Sequence, residues 1–261
     1  MKVVEGVTPS GDAFPPRLRW ALTRVTSRVV IDSAGRSTNA GFTRRFSVRL
    51  RTLWFVKMIG VSLGMTVFFV IYFRLLNHPM FPVAIMPLTA VDRFIGFWPG
   101  ALPLYLSLWI YVSLGAALLK NRRELLSWSV AAVALSAIGL GIFLLWPTAV
   151  PNLRNDWVSH PWFSFLDAVD ASGNACPSLH VAFAVFTAIH LDRLLREMRA
   201  HAGIRAVNWV WGFGIVYSTL AVGQHVALDV LAGALLGAIV AVPRICRSPS
   251  ANNTQPAEEA S

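Results

Sequence analysis

The chain has 261 residues, 55% of them hydrophobic and only 14% charged. Soluble domains average about a quarter charged residues, so this composition excludes an ordinary soluble fold and selects a multi-span membrane protein. The net charge of +10 does not select nucleic acid. The basic residues flank apolar runs and form no stripe with interleaved aromatics, so anionic headgroups and the orientation bias of membrane proteins account for them.

Residues 1–53 are polar and basic, with ten Lys/Arg against Glu5, Asp12 and Asp32. Without sustained periodicity they read as a mostly disordered cytoplasmic tail, with a short amphipathic stretch at Phe42–Leu53. An Arg- and Ser-rich segment also suits an organelle transit peptide, but the early acids favour the tail. No cleavable signal peptide is evident, because the first apolar run starts near Trp54 and is long enough to span.

Six apolar runs follow, at 54–76, 101–119, 127–146, 177–194, 206–222 and 224–242. Each is near the roughly 20 residues that a helix needs to cross hydrocarbon. They predict an all-α, six-span transmembrane bundle over 54–243, followed by a polar tail at 244–261. Ten tryptophans, many near run ends, fit interfacial anchoring. The connection 77–100, with Pro79, Pro82, Pro87 and Pro99, reads as a loop with an interfacial helix near Thr89–Phe97. The connection 147–176 reads likewise, with a second interfacial helix at WFSFLDAVD. The last two runs nearly touch, so their turn falls at Val222–Gln224, where Gly223 supplies the unusual backbone angles. The GxxxG pairs Gly60/Gly64 and Gly233/Gly237 predict close helix packing, and Lys57 is placed to snorkel to the inner interface.

Lys/Arg placement sets the orientation. The N-terminal tail has ten, loop 120–126 has three, loop 193–205 has four and the C-terminal tail has two. With six spans these nineteen fall on one side, which the positive-inside rule makes cytoplasmic, with both termini inside. The outer connections hold only Arg93 and Arg154. Cys176 and Cys246 then lie on opposite sides, which predicts no disulfide between them.

This topology brings His180, at the start of the fourth run, and His225, at the start of the sixth, to the outer face at similar depth. Asp229 follows His225 by four residues, one helical turn, so the two share a face. A carboxylate in an apolar run is costly and usually faces a protein interior or wet cavity. There it can hold one imidazole nitrogen and leave the other as a base, nucleophile or ligand. Pro177 suits a first helical position, and the unpaired amides of the turn that carries His180 favour an anion. A zinc site from His180, His225 and Asp229 is possible by ligand type, but an anion-seeking helix start beside His180 ranks phosphate chemistry above it. A packing pair or proton relay in a non-catalytic transporter or lipid-binding membrane protein is the other reading. His190 sits some 15 Å along the helix from His180 and reads as an inner-end polar residue near Asp192 and Arg193. His160 and His78 read as solvent-exposed loop residues.

CPSLH at 176–180 resembles the PSGH motif of the type 2 phosphatidic acid phosphatase superfamily, and Ser218–Asp229 resembles its S-R-x5-H-x3-D motif. The segments FWPGALPLYLSLWIYV and WPTAVPNL are similar to the branch of inositol phosphorylceramide and sphingomyelin synthases. The resemblance covers roughly residues 85–242. It implies a membrane enzyme acting on a lipid phosphate or phosphodiester, with no metal or other cofactor. It implies that His225 attacks phosphorus to form a phosphohistidine, that Asp229 orients it, and that His180 protonates the leaving alkoxide. Ser178 and nearby amides, such as that of Leu179, would hold phosphate oxygens, beside Ser218 and Thr219. The sequence departs from the family where cations belong. The first motif, K-x6-R-P, is absent, Thr219 stands in place of Arg, and Leu179 replaces Gly. Arg154 is the best local substitute in the sequence. Fewer cations favour a phosphodiester donor, and headgroup transfer to an acceptor such as ceramide or diacylglycerol is the alternative to a lipid phosphatase or phosphotransferase. The sequence sets neither the acceptor nor the oligomeric state.

Overall fold

The structure is a computed structural model that describes residues 41–151 and 173–245. The basic tail to residue 40, Arg154, His160, the helix expected at WFSFLDAVD, Cys246 and the tail from 246 lie outside the described residues. The chain divides into a unit of residues 1–45 and a unit of residues 46–261. In the first, residues 41–45 are helical.

In the second unit, residues 46–51 are helical, and all six apolar runs form helices. These are α1 (Trp54–Asn77), a 3-10 turn at Pro99–Ala101 leading into α3 (Leu102–Leu106) and α4 (Leu108–Ala117), α5 (Arg122–Leu145), α6 (Leu179–Glu197), α7 (Ala202–Ala221) and α8 (Ala227–Ile245). The short α2 (Ala90–Ile95) forms where the interfacial helix was expected. The segments Trp54–Asn77, Pro99–Ala117 and Arg122–Leu145 are long and apolar enough to cross a membrane, and Ala227–Val242 is a shorter apolar helix. α6 and α7 carry more polar groups. Asp192 of α6 accepts from Arg196 at 2.8 Å and from Arg205 of α7 at 2.7 Å. Asn208 of α7 donates to the Ala188 carbonyl at 3.0 Å and accepts from the Tyr111 hydroxyl at 2.8 Å.

Helix starts follow capping chemistry. Asn121 accepts from the Glu124 amide at 2.8 Å while the Glu124 carboxylate accepts from the Lys120 amide at 2.9 Å, satisfying two otherwise orphaned donors. Thr89 and Asp92 form a capping box on α2. α6 is capped by Ser178, and Pro177 lies before that cap rather than at the first helical position. The Ser178 hydroxyl takes the role because its oxygen can accept a first-turn amide, which Pro cannot.

α6 packs most extensively against α8 and α7. Gly233 and Gly237 make the α6–α8 approach possible: a Cβ at Gly233 would collide with the Ser178 carbonyl oxygen, and one at Gly237 with that of Ala182. The other GxxxG pair is a correction. A Cβ at Gly60 or Gly64 would meet nothing within 4 Å, because α1 presents apolar side chains such as Phe55, Ile59, Leu63 and Val67 outward. Lys57 is a second correction. Its buried ammonium donates to the carbonyls of Arg49 (2.8 Å), Ala117 (2.7 Å) and Leu119 (2.7 Å), where a snorkelling side chain would extend to solvent. The all-α expectation also misses one small feature. β1 (Ala84–Ile85) and β2 (Thr148–Ala149) pair in parallel, satisfying loop backbone groups that helices cannot serve.

Candidate active site

The turn expected at Val222–Gln224 is present, with Gly223 at φ 70°. The amides of Gln224 and His225 both donate to the Thr219 carbonyl at 3.2 Å. His225 stands two residues before α8 and Asp229 lies in its first turn. The spacing still closes the pair: His225 Nδ1 is 2.9 Å from Asp229 Oδ2. The histidine side chain is 8% exposed and the carboxylate fully buried, so the interaction is little screened. Asp229 Oδ1 accepts from the Val230 amide at 2.9 Å.

His180 occupies the first turn of α6, and the Ser178 amide donates to the Asp229 main-chain oxygen at 3.0 Å. That bond ties the starts of α6 and α8 together and sets the His180 and His225 ring centroids 5.7 Å apart. The Tyr105 hydroxyl lies 3.0 Å from His180 Nε2, and the two rings stack at 4.9 Å. Trp109 meets the same imidazole edge-on at 6.0 Å. Both aromatics lie in the segment FWPGALPLYLSLWIYV, but the sequence does not single either out as a site residue. The one available signal was general: a tyrosine in an apolar run needs a partner for its hydroxyl, and nothing in the sequence says which.

A cleft of about 230 Å³ opens onto His225, with Asp92, Arg93, Phe97, Leu220 and Gly223 among the other residues of its wall. Arg93 is the cation the sequence analysis counted but did not place at the site. His180 is not part of that wall. The Ser178 hydroxyl accepts from the Val181 amide at 3.3 Å, and the Leu179 side chain packs on Gly139. Ser218 and Thr219 are fully buried, and their hydroxyls donate to the carbonyls of Ile215 (2.7 Å) and Val216 (2.8 Å). Neither lines the cleft. Arg154 lies outside the described residues.

Cys176 is a free, buried thiol beside this site. Burial, with the Asp229 charge adding to it, pushes its pKa up to about 11, so it stays protonated at neutral pH and is a poor nucleophile. Elsewhere, His190 stacks on Phe186 at 6.1 Å. Among the described residues no group of three or more His, Cys, Asp or Glu side chains is arranged to hold a metal ion.

Residues 125–250 match the family model of the PAP2 superfamily. No curated protein and no solved structure matches the chain. The match spans His180, His225 and Asp229 and leaves Arg93, Tyr105 and Trp109 outside it. Together with the apolar helices it fits a membrane protein of phosphatase type.

Proposed function

We propose that this chain is an integral membrane lipid phosphatase or phosphotransferase that works through a phosphohistidine on His225. The observation that carries the reading is the buried 2.9 Å His225–Asp229 bond with the His180 ring 5.7 Å away on the next helix start. With Nδ1 held by the carboxylate, Nε2 is the nucleophile. It attacks phosphorus, the ester P–O bond breaks, and the leaving alkoxide takes a proton from His180. In the second half, His180 takes a proton from water or an alcohol as that oxygen attacks phosphorus, and the N–P bond breaks to release His225. Splitting one difficult displacement into two is the advantage of a covalent intermediate. Asp229 offsets the positive charge that the imidazole gains on phosphorylation. The Tyr105 hydroxyl orients His180, and the Thr219 carbonyl positions His225 through its amide. The Ser178 cap takes the Val181 amide of the first turn of α6, which leaves the Leu179 amide as the one assigned to phosphate oxygens in this reading.

The same reading places six helices across the membrane, with both termini cytoplasmic and the site on the outer side, as the Lys/Arg distribution directs. The shortage of cations favours a phosphodiester donor, since a diester carries less charge than a monoester. That supports headgroup transfer to ceramide or diacylglycerol as the second reading, in the manner of the inositol phosphorylceramide and sphingomyelin synthases. The test is to incubate purified protein with labelled phosphatidate, undecaprenyl diphosphate and phosphatidylinositol, with and without ceramide or diacylglycerol. Free phosphate establishes hydrolysis, and a new headgroup lipid establishes transfer. No turnover of any donor supports the transporter or lipid-binding reading instead.

A further inference from the structure

We propose that Arg93 is the phosphate-binding cation of this site and that it matches the site to a singly charged phosphodiester. The inference rests on the reading of His225 as nucleophile. Among the described residues, Arg93 is the one Lys or Arg in the wall of the cleft that opens onto His225. Its side chain is exposed, and among the described residues no carboxylate forms an ion pair with it. The adjacent Asp92 carboxylate is already committed. One oxygen accepts from the Thr89 amide and hydroxyl, both at 2.7 Å, and the other accepts from the Ala227 amide at 2.8 Å.

Those bonds also fix where Arg93 stands. The Asp92–Ala227 contact pins α2 to the first turn of α8. The Trp98 amide donates to the Ala221 carbonyl at 2.7 Å, which pins the following segment to the end of α7. The piece of chain that carries Arg93 is therefore fastened on both sides of the turn that presents His225. A guanidinium carried by that fastened segment offers a planar pair of N–H donors suited to two phosphate oxygens. One guanidinium can pair with one negative charge, the charge of a diester, and the Asp92 carboxylate in the same wall, whose three hydrogen bonds come from uncharged donors, weighs further against a monoester dianion. Arg93 lies outside the residues that the family model matches, and the motif resemblance drawn from the sequence lacks cations where the family has them, so the site needs one from elsewhere in the chain.

Two measurements test this on the full chain in detergent. The first is calorimetric binding of orthovanadate, a phosphate mimic, to the wild type, Arg93→Ala, Arg93→Lys and His225→Ala. The second is turnover of phosphatidylinositol and phosphatidate by the same set. Arg93→Ala is expected to weaken vanadate binding at least tenfold. It is also expected to lower kcat/KM by about 10²-fold, the scale of losing one preorganised donor to a developing anion. Arg93→Lys recovers part of the loss, added guanidinium rescues the alanine variant, and the unfolding temperature is unchanged. Vanadate binding by Arg93→Ala equal to wild type overturns the inference whatever the turnover shows. Full turnover by His225→Ala overturns the nucleophile reading instead, so the two failures are distinct.

Discussion

The two ends of α6 handle their carboxylates in opposite ways. At the C-terminal end, Asp192 is gripped by Arg196 and Arg205, and Glu197 meets Arg49 at 3.0 Å, Arg193 at 3.3 Å and Lys120 at 3.5 Å. Beside the N-terminal end, Asp229 faces a histidine and a backbone amide, and among the described residues no Lys or Arg forms an ion pair with it. Fixed cations make the first end a structural clasp. At the second end the carboxylate meets an imidazole, and under the proposal above Arg93 serves an external anion. A carboxylate beside guanidinium groups can only hold; one beside an imidazole can set which nitrogen reacts.

The sharpest way to break this contrast is Asp229→Asn. It keeps the shape of the side chain and removes the charge that orients His225, so kcat is expected to fall roughly 10⁴-fold while detergent-solubilised protein stays folded. Glu197→Gln, assayed in parallel, is expected to leave kcat unchanged. Comparable losses in the two variants would erase the distinction between the ends.

The glycine pairs give the next largest effect. Gly233→Ala drives a methyl group into the Ser178 carbonyl and is expected to cost about 1–3 kcal/mol of stability. It should lower turnover as well, because the displaced strand of chain carries both the Ser178–Asp229 bond and His180. Gly60→Ala meets nothing, so its thermal unfolding should match wild type. A neutral Gly233→Ala would mean that α6 and α8 are not as closely packed as the structure has them.

Those pairs also show what the sequence made legible. Gly60/Gly64 and Gly233/Gly237 share one spacing, and only the second has a partner helix within reach; spacing records a flat face but not what lies against it. His225 and Asp229 were readable because one helical turn joins them, and the pairing survives although His225 precedes α8. The helices were readable because length and apolarity suffice for them. Lys57 was not, since three carbonyls that converge from two other segments leave no local trace. Tyr105 acts on a histidine 75 positions away in sequence, and Arg93 reaches the site only because Asp92 and Trp98 fasten its segment there. Pairings made by tertiary fastening were thus the ones sequence periodicity could not carry.

Smaller effects sharpen the picture of each end. Tyr105→Phe removes the hydroxyl on His180 Nε2 and keeps the stacked ring. About a tenfold loss in kcat, less than the roughly 10²–10⁴-fold contributed by a group that transfers the proton itself, is expected together with a displaced limb of the pH–rate profile. An unchanged profile would assign Tyr105 to packing alone. At the clasp, burial pushes the Glu197 carboxyl up, but the Arg49 hydrogen bond and the charges of Lys120, Arg49 and Arg193 outweigh it and hold the group below its ordinary value. A carboxyl lowered in the folded state contributes stability above the ordinary value of 4.5, and this is lost as pH falls through the lowered folded value. Glu197→Gln should therefore unfold earlier than wild type at pH 7, by no more than about 1 kcal/mol, and the two should converge in acid. A gap that persists or widens in acid would contradict the ion-pair account.

The most direct test of the central claim is to quench the protein after mixing with phosphate-labelled lipid and map the label by mass spectrometry. The mechanism predicts an acid-labile, base-stable phosphohistidine at His225 that is absent from His225→Ala and accumulates when the second half-reaction is slowed. Sustained turnover with no phosphorylated His225, or with label on another residue, would contradict it.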